Sequence, residues 1–446
     1  MKKRLFKLAS LIMASTIVVA ACSPAVSTTT TAGTTAGTTA GTTAGTVATT
    51  KPGEKVTLNF FHRWPNEPKK SYFDRKVAEF TALHPNVEIK VESVLNDSYK
   101  EKIRVQVANS AMPDIFFSWS DSFAENLVSS GKVRVLDDLY EQDKAWSENI
   151  IASQVKGFTF DGKKYAVPLT MDGKAFFYNT EIFSKLNLEK PKTWKELLAV
   201  LDALKANNYK TPIVAGLSQT WVVSHFMGPI FDRLIKPDVL KKDYNQKTGE
   251  FTDPGYVEGL NMFKTLTGYM GDISVAIDHE TSRNMFINSE VPVIYLQLAE
   301  IRYLLDNKDL KFDYFNFPAV EGAAGEQNTL EGAPEGIMLS KDAPPEAIEF
   351  LKFLTSSAAA ADFTKTAGDI TAIKGGVTLE SASEAQVKAF DLINSAESMT
   401  PWFDNAVNIN IGDIFMKGGQ GLATNQMTAE EIMKDVQTKA KELRGN

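Results

Sequence analysis

The sequence is short of the residues from which proteins build disulfides and metal centres. Its 446 residues include one cysteine and four histidines. A single cysteine excludes a disulfide within the chain and a zinc or iron–sulfur site made of several cysteines. Four scattered histidines leave little material for a histidine-rich metal site, so we expect neither a metal nor another cofactor.

Positive charge is also in short supply. Lys and Arg number 48 against 55 Asp and Glu, which gives a net charge of −7. Proteins that bind nucleic acid through its phosphates need a basic surface, so no nucleic-acid partner is expected. With 43% hydrophobic and 23% charged residues, the composition is that of a globular protein, and the length allows two or three domains.

Long hydrophobic runs are missing, and the most apolar stretch of the N-terminus is short. The uncharged segment Leu8–Ala21 follows a basic start and ends at Cys22. It is shorter than the ~20 residues that a membrane-spanning helix needs. A basic region, a short apolar region and small residues before a cleavage point predict a secretory signal peptide over residues 1–21.

Val19-Ala20-Ala21-Cys22 resembles a bacterial lipobox, in which the cysteine thiol is lipidated and becomes the first mature residue. Acyl chains on Cys22 would hold the protein on the outer face of a bacterial cell membrane. The segment Ser27–Thr50 repeats Ala-Gly pairs among threonines and has no apolar stripe. Residues 22–54 are therefore predicted to be a lipidated, disordered tether.

The folded part begins as alternating strands and helices, which predicts an open, mostly parallel α/β sheet. The expected order is a strand at Val56–Phe61, a helix at Lys69–Leu83, a strand at Val87–Val91, a helix with Tyr99, Ile103 and Val107 on its inner face, and a strand at Ile115–Phe117. Ligands of such sheets bind at the carboxyl ends of the strands.

Two loops at those strand ends are rich in polar and aromatic side chains. The first strand is followed by His62, Arg63, Trp64 and Asn66, and the third by Trp119, Ser120 and Asp121. An indole face suits the apolar face of a pyranose, while carboxylates, amides and guanidinium groups bind its hydroxyls. Two tryptophans at neighbouring strand ends indicate a binding site at this edge of the sheet.

A second α/β pattern begins at Tyr165 and continues to the C-terminus. Strands are predicted at 165–169, 174–178, 212–215 and 291–295. Thr193-Trp194-Lys195-Glu196 and Thr428-Ala429-Glu430-Glu431 are capping boxes that open helices. The glycine-rich stretch at 418–421 is predicted to be a flexible turn.

Catalytic signatures are missing from the sequence. It contains no nucleophile elbow, no HExxH metal motif, no phosphate-binding Gly-Lys loop and no dinucleotide fingerprint. A pair of carboxylates for glycoside hydrolysis stays open as an alternative, because many acidic residues are present. The pattern favours a binding protein over an enzyme.

The ordered set of segments resembles the extracellular solute-binding proteins of bacterial ABC importers, of the sugar-binding type that includes maltose-binding protein. The resemblance covers Val56 to Leu443. It is carried by the segments at 72–89, 112–115, 136–139, 165–168, 177–179, 191–197, 285–290, 345–354 and 428–431.

The resemblance implies a two-lobed, periplasmic-binding-protein-like fold of type II, with discontinuous α/β lobes and a ligand cleft between them. The crossings between lobes are expected near Val167–Thr170, Phe317–Glu321 and Asp369–Lys374. The first lobe would then comprise residues 55–168 and 318–370, and the second lobe 169–317 and 371–446.

Ligand residues are carried over from the family position by position. Asp121, with Trp119 beside it, matches a polar contact with the sugar, and Asp172 matches an acidic position that binds sugar hydroxyls. Trp402 falls where the family places a stacking aromatic. The family's aromatic after the 285–290 motif is replaced here, so Tyr295 or Gln297 is expected to take its role. Trp221 is a further candidate.

The predicted function is therefore that of a lipid-anchored, monomeric binding protein that captures a carbohydrate, an oligosaccharide in particular, and delivers it to the transmembrane subunits of an ABC permease. Three alternatives stay open. The same fold could bind a polyamine, a peptide or a glycerol-phosphate. The chain could be an anchored glycosidase, or it could serve mainly as a chemoreceptor partner or adhesin.

Overall fold

Two β-sheets of five and four strands organise the described chain, which also has two smaller two-stranded sheets. The computed structural model describes residues 55–109, 111–396 and 398–445, and these fall in one compact unit. The predicted signal peptide, the lipidation of Cys22 and the tether over 22–54 lie outside the described residues. Among the described residues, we find no helix that combines the length and the hydropathy needed to cross a membrane.

The strands are, in chain order, β1 (Val56–His62), β2 (Val87–Ser93), β3 (Ile115–Trp119), β4 (Thr159–Phe160), β5 (Lys163–Lys164), β6 (Ala166–Met171), β7 (Lys174–Asn179), β8 (Ile213–Val214), β9 (Val293–Gln297), β10 (Phe312–Phe315), β11 (Thr329–Glu331), β12 (Pro334–Leu339) and β13 (Ser398–Thr400).

The helices of the first half are α1 (Lys69–Leu83), α2 (Asn96–Ala108), α3 (Asp121–Val128), α4 (Asp137–Gln142), α5 (Lys144–Ser147), α6 (Ala152–Val155), α7 (Thr180–Lys185), α8 (Trp194–Ala206) and α9 (Thr220–Leu234). Those of the second half are α10 (Pro237–Tyr244), α11 (Gly255–Met270), α12 (His279–Ile287), α13 (Ile301–Leu304), α14 (Pro345–Leu354), α15 (Ser357–Ala367), α16 (Glu384–Ser395), α17 (Phe403–Ala406), α18 (Ile409–Ala423) and α19 (Ala429–Arg444). Short 3₁₀ turns lie at Lys156–Phe158, Asp272–Val275 and Leu298–Glu300.

The first sheet has the strand order β2-β1-β3-β12-β6. Strand β1 pairs in parallel with β2 and β3, as the sequence predicts. Strand β12 enters the sheet from much later in the chain and runs antiparallel to both β3 and β6. The sheet is therefore mixed. Parallel pairing still places the carboxyl ends of β1 and β3 side by side, which brings their two loops together.

The second sheet, in the order β10-β7-β9-β8, separates two apolar cores. Alternate residues of β7 point to opposite faces: Phe176 and Tyr178 pack in one core, and Ala175 and Phe177 in the other. Successive side chains of a strand point to opposite faces, and both faces of β7 are buried. Its sequence is therefore hydrophobic at nearly every position and not only at every second one. The two capping boxes predicted at Thr193 and Thr428 are confirmed at the starts of α8 and α19.

The chain passes between the two sheets three times. The first passage joins β6 to β7, and the third follows α15, where Thr371 bridges to Thr170 of β6. The second passage lies later in the chain than the predicted Phe317–Glu321. Ala319 N donates to Lys192 O, and Gly325 N donates to Arg233 O, so residues 318–331 stay with the second sheet. The chain rejoins the first sheet at β12.

The glycine-rich stretch at 418–421 is not a turn but part of α18, so that prediction is wrong. A Cβ atom on Gly419 would come within 2.3 Å of Val223 Cγ1, and one on Gly418 within 2.7 Å of Ile432 Cγ1. The glycines therefore let α18 approach α9 and α19 closely. Helix packing outweighs the low helix propensity of glycine at these positions.

Candidate functional site

The loops after β1 and β3 meet at one guanidinium group. The Arg63 guanidinium carbon lies 4.7 Å from the ring centre of Trp64 and 5.2 Å from that of Trp119. Glu335 of β12 holds Arg63 in place: Arg63 Nε donates to Glu335 Oε2 at 2.9 Å, and Nη2 donates to the second oxygen. The fork of two hydrogen bonds fixes the plane of the guanidinium group next to both indoles.

Each of the two first-lobe tryptophans packs against another aromatic ring. Trp64 stacks on Phe73 at 5.4 Å, and Trp119 contacts the edge of Phe123 at 5.2 Å. Lys100 Nζ of α2 lies 4.7 Å from the ring centre of Trp119. Trp64 Nε1 is buried and has no hydrogen-bond partner among the described residues. A buried indole N–H of this kind normally has an acceptor, such as a ligand hydroxyl.

His62 and Asn66, also predicted from this loop, occupy different places. His62 is 0% exposed and packs between Phe60, Trp64 and Phe73. Burial lowers the pKa of His62 to about 4, so its ring is a neutral part of the core. Asn66 is exposed. For His62 the geometry supports a role in positioning Trp64 rather than direct contact with a ligand.

Asp121 and Ser120 sit at the start of α3. Ser120 Oγ donates to Asp121 Oδ2 at 2.5 Å, and Asp121 adopts a φ of +59°, a left-handed conformation that Asp tolerates better than most residues. A Cβ atom on Gly157 would lie 2.7 Å from Ser120 Cβ, so only glycine fits beneath this turn. Burial raises the pKa of Asp121 to about 6.

The second lobe contributes its own pair of tryptophans, which share one histidine. Trp402, just before α17, stacks on His225 of α9, with ring centres 4.3 Å apart and planes at 20°. Trp221, one turn earlier on α9, contacts the same imidazole at 5.0 Å and 63°. The structure therefore brings together two predicted aromatic residues that lie 181 positions apart in the sequence.

Asp172 and Gln297 bind each other at the first passage between the lobes. Gln297 Nε2 donates to Asp172 Oδ2 at 3.1 Å, while Asp172 Oδ1 accepts from Gly173 N at 2.9 Å and Ala299 N at 3.0 Å. Burial raises the pKa of Asp172 to about 7. These hydrogen bonds join the residues before β7 to the end of β9. The pair therefore stabilises the chain at the first passage between the lobes.

Tyr295 is predicted as a ligand residue, but its ring is only 2% exposed and packs against Phe176 and Phe226. Its hydroxyl donates to Glu331 Oε2 at 3.4 Å. Glu331 is also buried, its pKa is raised by burial, and Oε1 has no hydrogen-bond partner among the described residues. Tyr295 thus supports the site from within the second lobe.

Side chains from the two lobes contact each other beside the tryptophans. Lys100 Nζ lies 3.3 Å from Asp404 Oδ2 of α17, and Ser122 Oγ donates to Asn405 O. Trp402 itself packs with the apolar core of the first lobe although its chain segment belongs to the second. Trp64, Trp119 and Trp402 are 7%, 6% and 4% exposed. Trp64, Trp119 and Trp402 therefore lie buried where the two lobes meet.

Several residues of the site were not predicted from the sequence. Lys174 is 0% exposed, and its Nζ lies 2.9 Å from His225 Nδ1. His279 Nε2 lies 2.6 Å from Glu300 Oε1, and the His279 ring is 4.8 Å from Trp221. Burial would raise the pKa of Glu300, but His279 and Arg283 outweigh it and hold that pKa at about 2. One feature of the sequence could have pointed to His225: it lies four residues after Trp221, which places both side chains on the same face of a helix.

Two cavities of the described part of the chain lie elsewhere. A cavity of about 380 Å³ is lined by Arg302, Thr364 and Gln386, and one of about 410 Å³ by Phe61, Gln106 and Met112, away from the tryptophans. Within residues 55–109, 111–396 and 398–445, no cluster of three or more His, Cys, Asp or Glu could hold a metal ion. The candidate site is the set of tryptophans that Arg63 and His225 group on the two lobes.

The chain is similar to known binding proteins in sequence and structure. It is 24% identical over 316 residues to an uncharacterized ABC transporter extracellular-binding protein of Pyrococcus horikoshii, covering 69% of this chain and 70% of that protein. A solved structure of a chitin oligosaccharide binding protein superposes with a TM-score of 0.78 at 23% identity, covering 88% of this chain and 100% of that chain.

A structure described in connection with xylan utilization by Caldanaerobius polysaccharolyticus also superposes with a TM-score of 0.78, at 21% identity, covering 86% of this chain and 100% of that chain. These likenesses confirm the two-lobed α/β fold. The family described as bacterial extracellular solute-binding protein matches residues 64–361. The chain belongs to the family of bacterial extracellular solute-binding proteins.

Proposed function

We propose that the protein is the substrate-binding component of an ABC importer, and that it captures an oligosaccharide between its lobes and delivers it to the membrane permease. The observation that carries this proposal is the arrangement of four tryptophans, two on each lobe, beside the side chains through which the lobes contact each other. The set is Trp64, Trp119, Trp221 and Trp402.

The chemistry of the cleft fits a sugar. Indole faces stack on the apolar faces of pyranose rings, and several stacked rings suit a chain of sugars better than a single one. The buried N–H of Trp64 lacks a partner among the described residues, so one donor remains for a hydroxyl group. A sugar hydroxyl can accept from it.

Lobe closure supplies the mechanism without any bond-making. A ligand that touches both tryptophan pairs binds the closed form better than the open form, and it shifts the equilibrium only by that difference in affinity. Lys100, Ser122, Asp404 and Asn405 add direct contacts between the lobes. These contacts favour the closed form in which the ligand is held.

The relatives support the same substrate class. One structural neighbour is a chitin oligosaccharide binding protein, and another is connected with xylan utilization. The Pyrococcus horikoshii relative is an extracellular-binding protein of an ABC transporter. The lipobox-like segment before Cys22 supports anchoring on the outer face of the membrane. A Cys22→Ser variant is expected to leave the membrane fraction and appear in the medium, and retention on the membrane would contradict the anchor.

A polyamine is a weaker candidate because three of the acidic groups around the tryptophans already have cationic partners. Glu335 binds Arg63, Asp404 lies against Lys100, and Glu300 lies against Arg283. A polycation would have to displace these partners. A peptide or a glycerol-phosphate gains no specific support from the geometry, and the family consists of binding proteins rather than glycosidases.

A thermal-shift screen tests the proposal. The purified protein is heated with mono- and oligosaccharides, polyamines and peptides, each at saturating concentration. A ligand at a hundred times its dissociation constant adds about 2.7 kcal/mol to stability. We expect a shift with one class of oligosaccharide. A shift with a polyamine or peptide, and with no saccharide, would overturn the substrate assignment.

A further inference from the structure

The two second-lobe tryptophans depend on a single buried imidazole. Trp402 stacks on His225 at 4.3 Å, and Trp221 presents its ring to the same histidine at 5.0 Å. His225 in turn lies 2.9 Å from Lys174 Nζ. Lys174 and His225 are 0% and 5% exposed, and Trp402 is 4% exposed, so neither Lys174 nor its partner is a surface group that solvent could replace.

The residues of this cluster come from three different secondary-structure elements. Lys174 is the first residue of β7 and therefore sits at the first passage between the lobes. His225 lies within α9, one turn after Trp221, and Trp402 is the N-cap of α17. Lys174 Nζ also lies 5.5 Å from the ring centre of Trp221 and 5.2 Å from that of Tyr295. The ammonium group is thus enclosed by aromatic faces.

Hydrogen-bond chemistry determines the tautomer of His225. A lysine ammonium has three donors and no acceptor. Because Lys174 Nζ faces His225 Nδ1, that nitrogen must accept, and the single ring proton must lie on Nε2. The imidazole is then neutral, and its plane is set by the Lys174 bond. Because the indole of Trp402 stacks on this imidazole, the orientation of the His225 ring also determines that of the Trp402 ring.

We propose that Lys174 and His225 act as a positioning pair that orients the second-lobe tryptophans, Trp221 and Trp402, for the ligand. The proposal rests on the proposed function, in which these indoles contact a saccharide. Neither residue of the pair is assigned a contact with the ligand. Their effect on binding is transmitted through the two rings, and the pair belongs to the residues that determine specificity in this chain.

Charged groups from every neighbouring element act on the pair. Lys174 is influenced by Glu331, Glu300, Asp172 and Asp404, and His225 by Lys174, His279 and Lys100. Burial lowers the pKa of Lys174 to about 8, and Glu331 works against this by raising it. Burial lowers the pKa of His225 well below its usual value, and the Lys174 charge lowers it further. His225 therefore stays neutral across neutral pH.

Nuclear magnetic resonance of the histidine rings tests the pair directly. The chain has only four histidines, so their ring signals are few enough to assign by substitution. Below about pH 7, where Lys174 is charged, we expect His225 to carry its proton on Nε2, and we expect no titration of His225 between about pH 7 and about pH 6, where an unperturbed histidine titrates. A proton on Nδ1, or titration in that range, would overturn the assignment.

A Lys174→Met variant extends the test to binding. Methionine keeps the length of the side chain but removes the donor and the charge, so the pKa of His225 should rise, and affinity for the saccharide should fall about tenfold. Lys76→Met is the matched control, since Lys76 is 7% exposed on α1 and pairs there with Glu79 and Asp362. It should leave both the His225 titration and the affinity unchanged.

The outcomes separate this inference from the proposed function. If the wild-type protein binds no saccharide, the proposed function fails, and the role of the pair in ligand binding fails with it, whatever the histidine spectrum shows. If the wild-type protein binds a saccharide but Lys174→Met changes neither the affinity nor the His225 titration, the proposed function stands and the positioning pair is refuted. Melting curves of both variants verify that each is folded.

Discussion

The two lobes hold their tryptophans in different ways. In the first lobe, Trp64 and Trp119 both lie against the guanidinium group of Arg63, whose side chain is 21% exposed and whose partner, Glu335, is 14% exposed. In the second lobe, Trp221 and Trp402 meet at His225 and Lys174, which are almost fully buried. One aromatic pair is positioned by an ion pair near solvent, and the other by a buried hydrogen bond.

This difference has consequences for how each half of the site responds to its surroundings. Salt screens interactions between groups near solvent and has much less effect on buried ones. The first-lobe pair should therefore be sensitive to ionic strength. The second-lobe pair should instead be sensitive to the protonation of buried groups. The affinity for a ligand that contacts both tryptophan pairs should therefore depend on ionic strength and on the protonation of the buried groups.

The largest expected effect comes from Trp402→Ala. The substitution removes the stacking partner of His225 and the contact with the first-lobe core, so we expect affinity for the saccharide to fall at least about thirtyfold, or about 2 kcal/mol. The stability of the protein should fall by about 3 kcal/mol or more. Calorimetric titration and chemical unfolding measure the two quantities.

Trp146→Ala is the matched control for Trp402→Ala. Trp146 is 9% exposed, and its Nε1 donates to Thr355 Oγ1 at 2.9 Å within the first lobe, away from the cleft. The Trp146→Ala variant should lose a similar amount of stability and keep its affinity for the saccharide. If both variants lose affinity equally, the loss reflects general destabilisation, and Trp402 has no special role.

Arg63→Met tests the first-lobe pair. It removes the group between Trp64 and Trp119 and leaves Glu335 without its cation, so affinity should fall about five- to tenfold, in line with about 1–1.4 kcal/mol for a charged hydrogen bond near solvent. Binding by the wild-type protein should weaken with added salt more than binding by Arg63→Met. Arg134→Met is the control, because Arg134 forms a similar pair with Asp138 outside the site. Equal salt dependence in the wild type and Arg63→Met would contradict the comparison.

Asp172→Asn tests the buried side of the comparison through pH. The pKa of Asp172 is about 7 in the folded protein, against an ordinary value of 3.8. The folded state therefore binds more protons than the unfolded state between about pH 4 and pH 7, and stability from this group is lost as pH rises through that window. Asparagine does not ionise, so the variant avoids this loss.

The melting temperature of Asp172→Asn relative to the wild type should therefore increase from about pH 4 to about pH 8. Each kcal/mol of difference corresponds to about 2–4 °C. Scanning calorimetry at several pH values measures the trend. A difference in melting temperature that is constant with pH would show that Asp172 is ionised throughout the range, against the effect assigned to its burial.

The smallest expected effect is that of Lys100→Gln. The Lys100–Asp404 contact joins the lobes at 3.3 Å, but its side chains are 21% and 13% exposed, and ion pairs near solvent contribute about 1 kcal/mol or less. Affinity should fall no more than about fivefold. Lys102→Gln, on the same helix and paired with Glu92 in the first lobe, should have no effect on affinity. A larger loss for Lys102→Gln would place the contribution in α2 rather than in the contact between lobes.

The first-lobe half of the site could be predicted because its parts are local. Strand β1 and helix α1 follow simple periodic patterns, and parallel strands place the loops that carry Trp64 and Trp119 at one edge. The position of Glu335 could not be predicted, because β12 joins this sheet from far along the chain. Its pairing depends on tertiary structure and not on any local pattern.

The second-lobe half could be predicted only as separate residues. Lys174, His225 and Trp402 come from β7, α9 and the segment before α17, and nothing in the sequence relates them. The four histidines look scattered, yet the fold brings His225 and His279 to the same indole. The second passage between the lobes lies later than the predicted Phe317–Glu321. Residues 318–331 have no strong periodicity that would indicate this, and they are held by Arg233 and its neighbours.

The central claim is that one oligosaccharide is held between the tryptophan pairs of the two lobes, and calorimetric titration with recovery of the ligand tests it most directly. The account predicts saturable binding of one oligosaccharide per chain, with the ligand recovered unchanged and with binding weakened in Trp402→Ala. Binding of a polyamine or peptide with no binding of any saccharide would contradict it, and so would recovery of a cleaved saccharide.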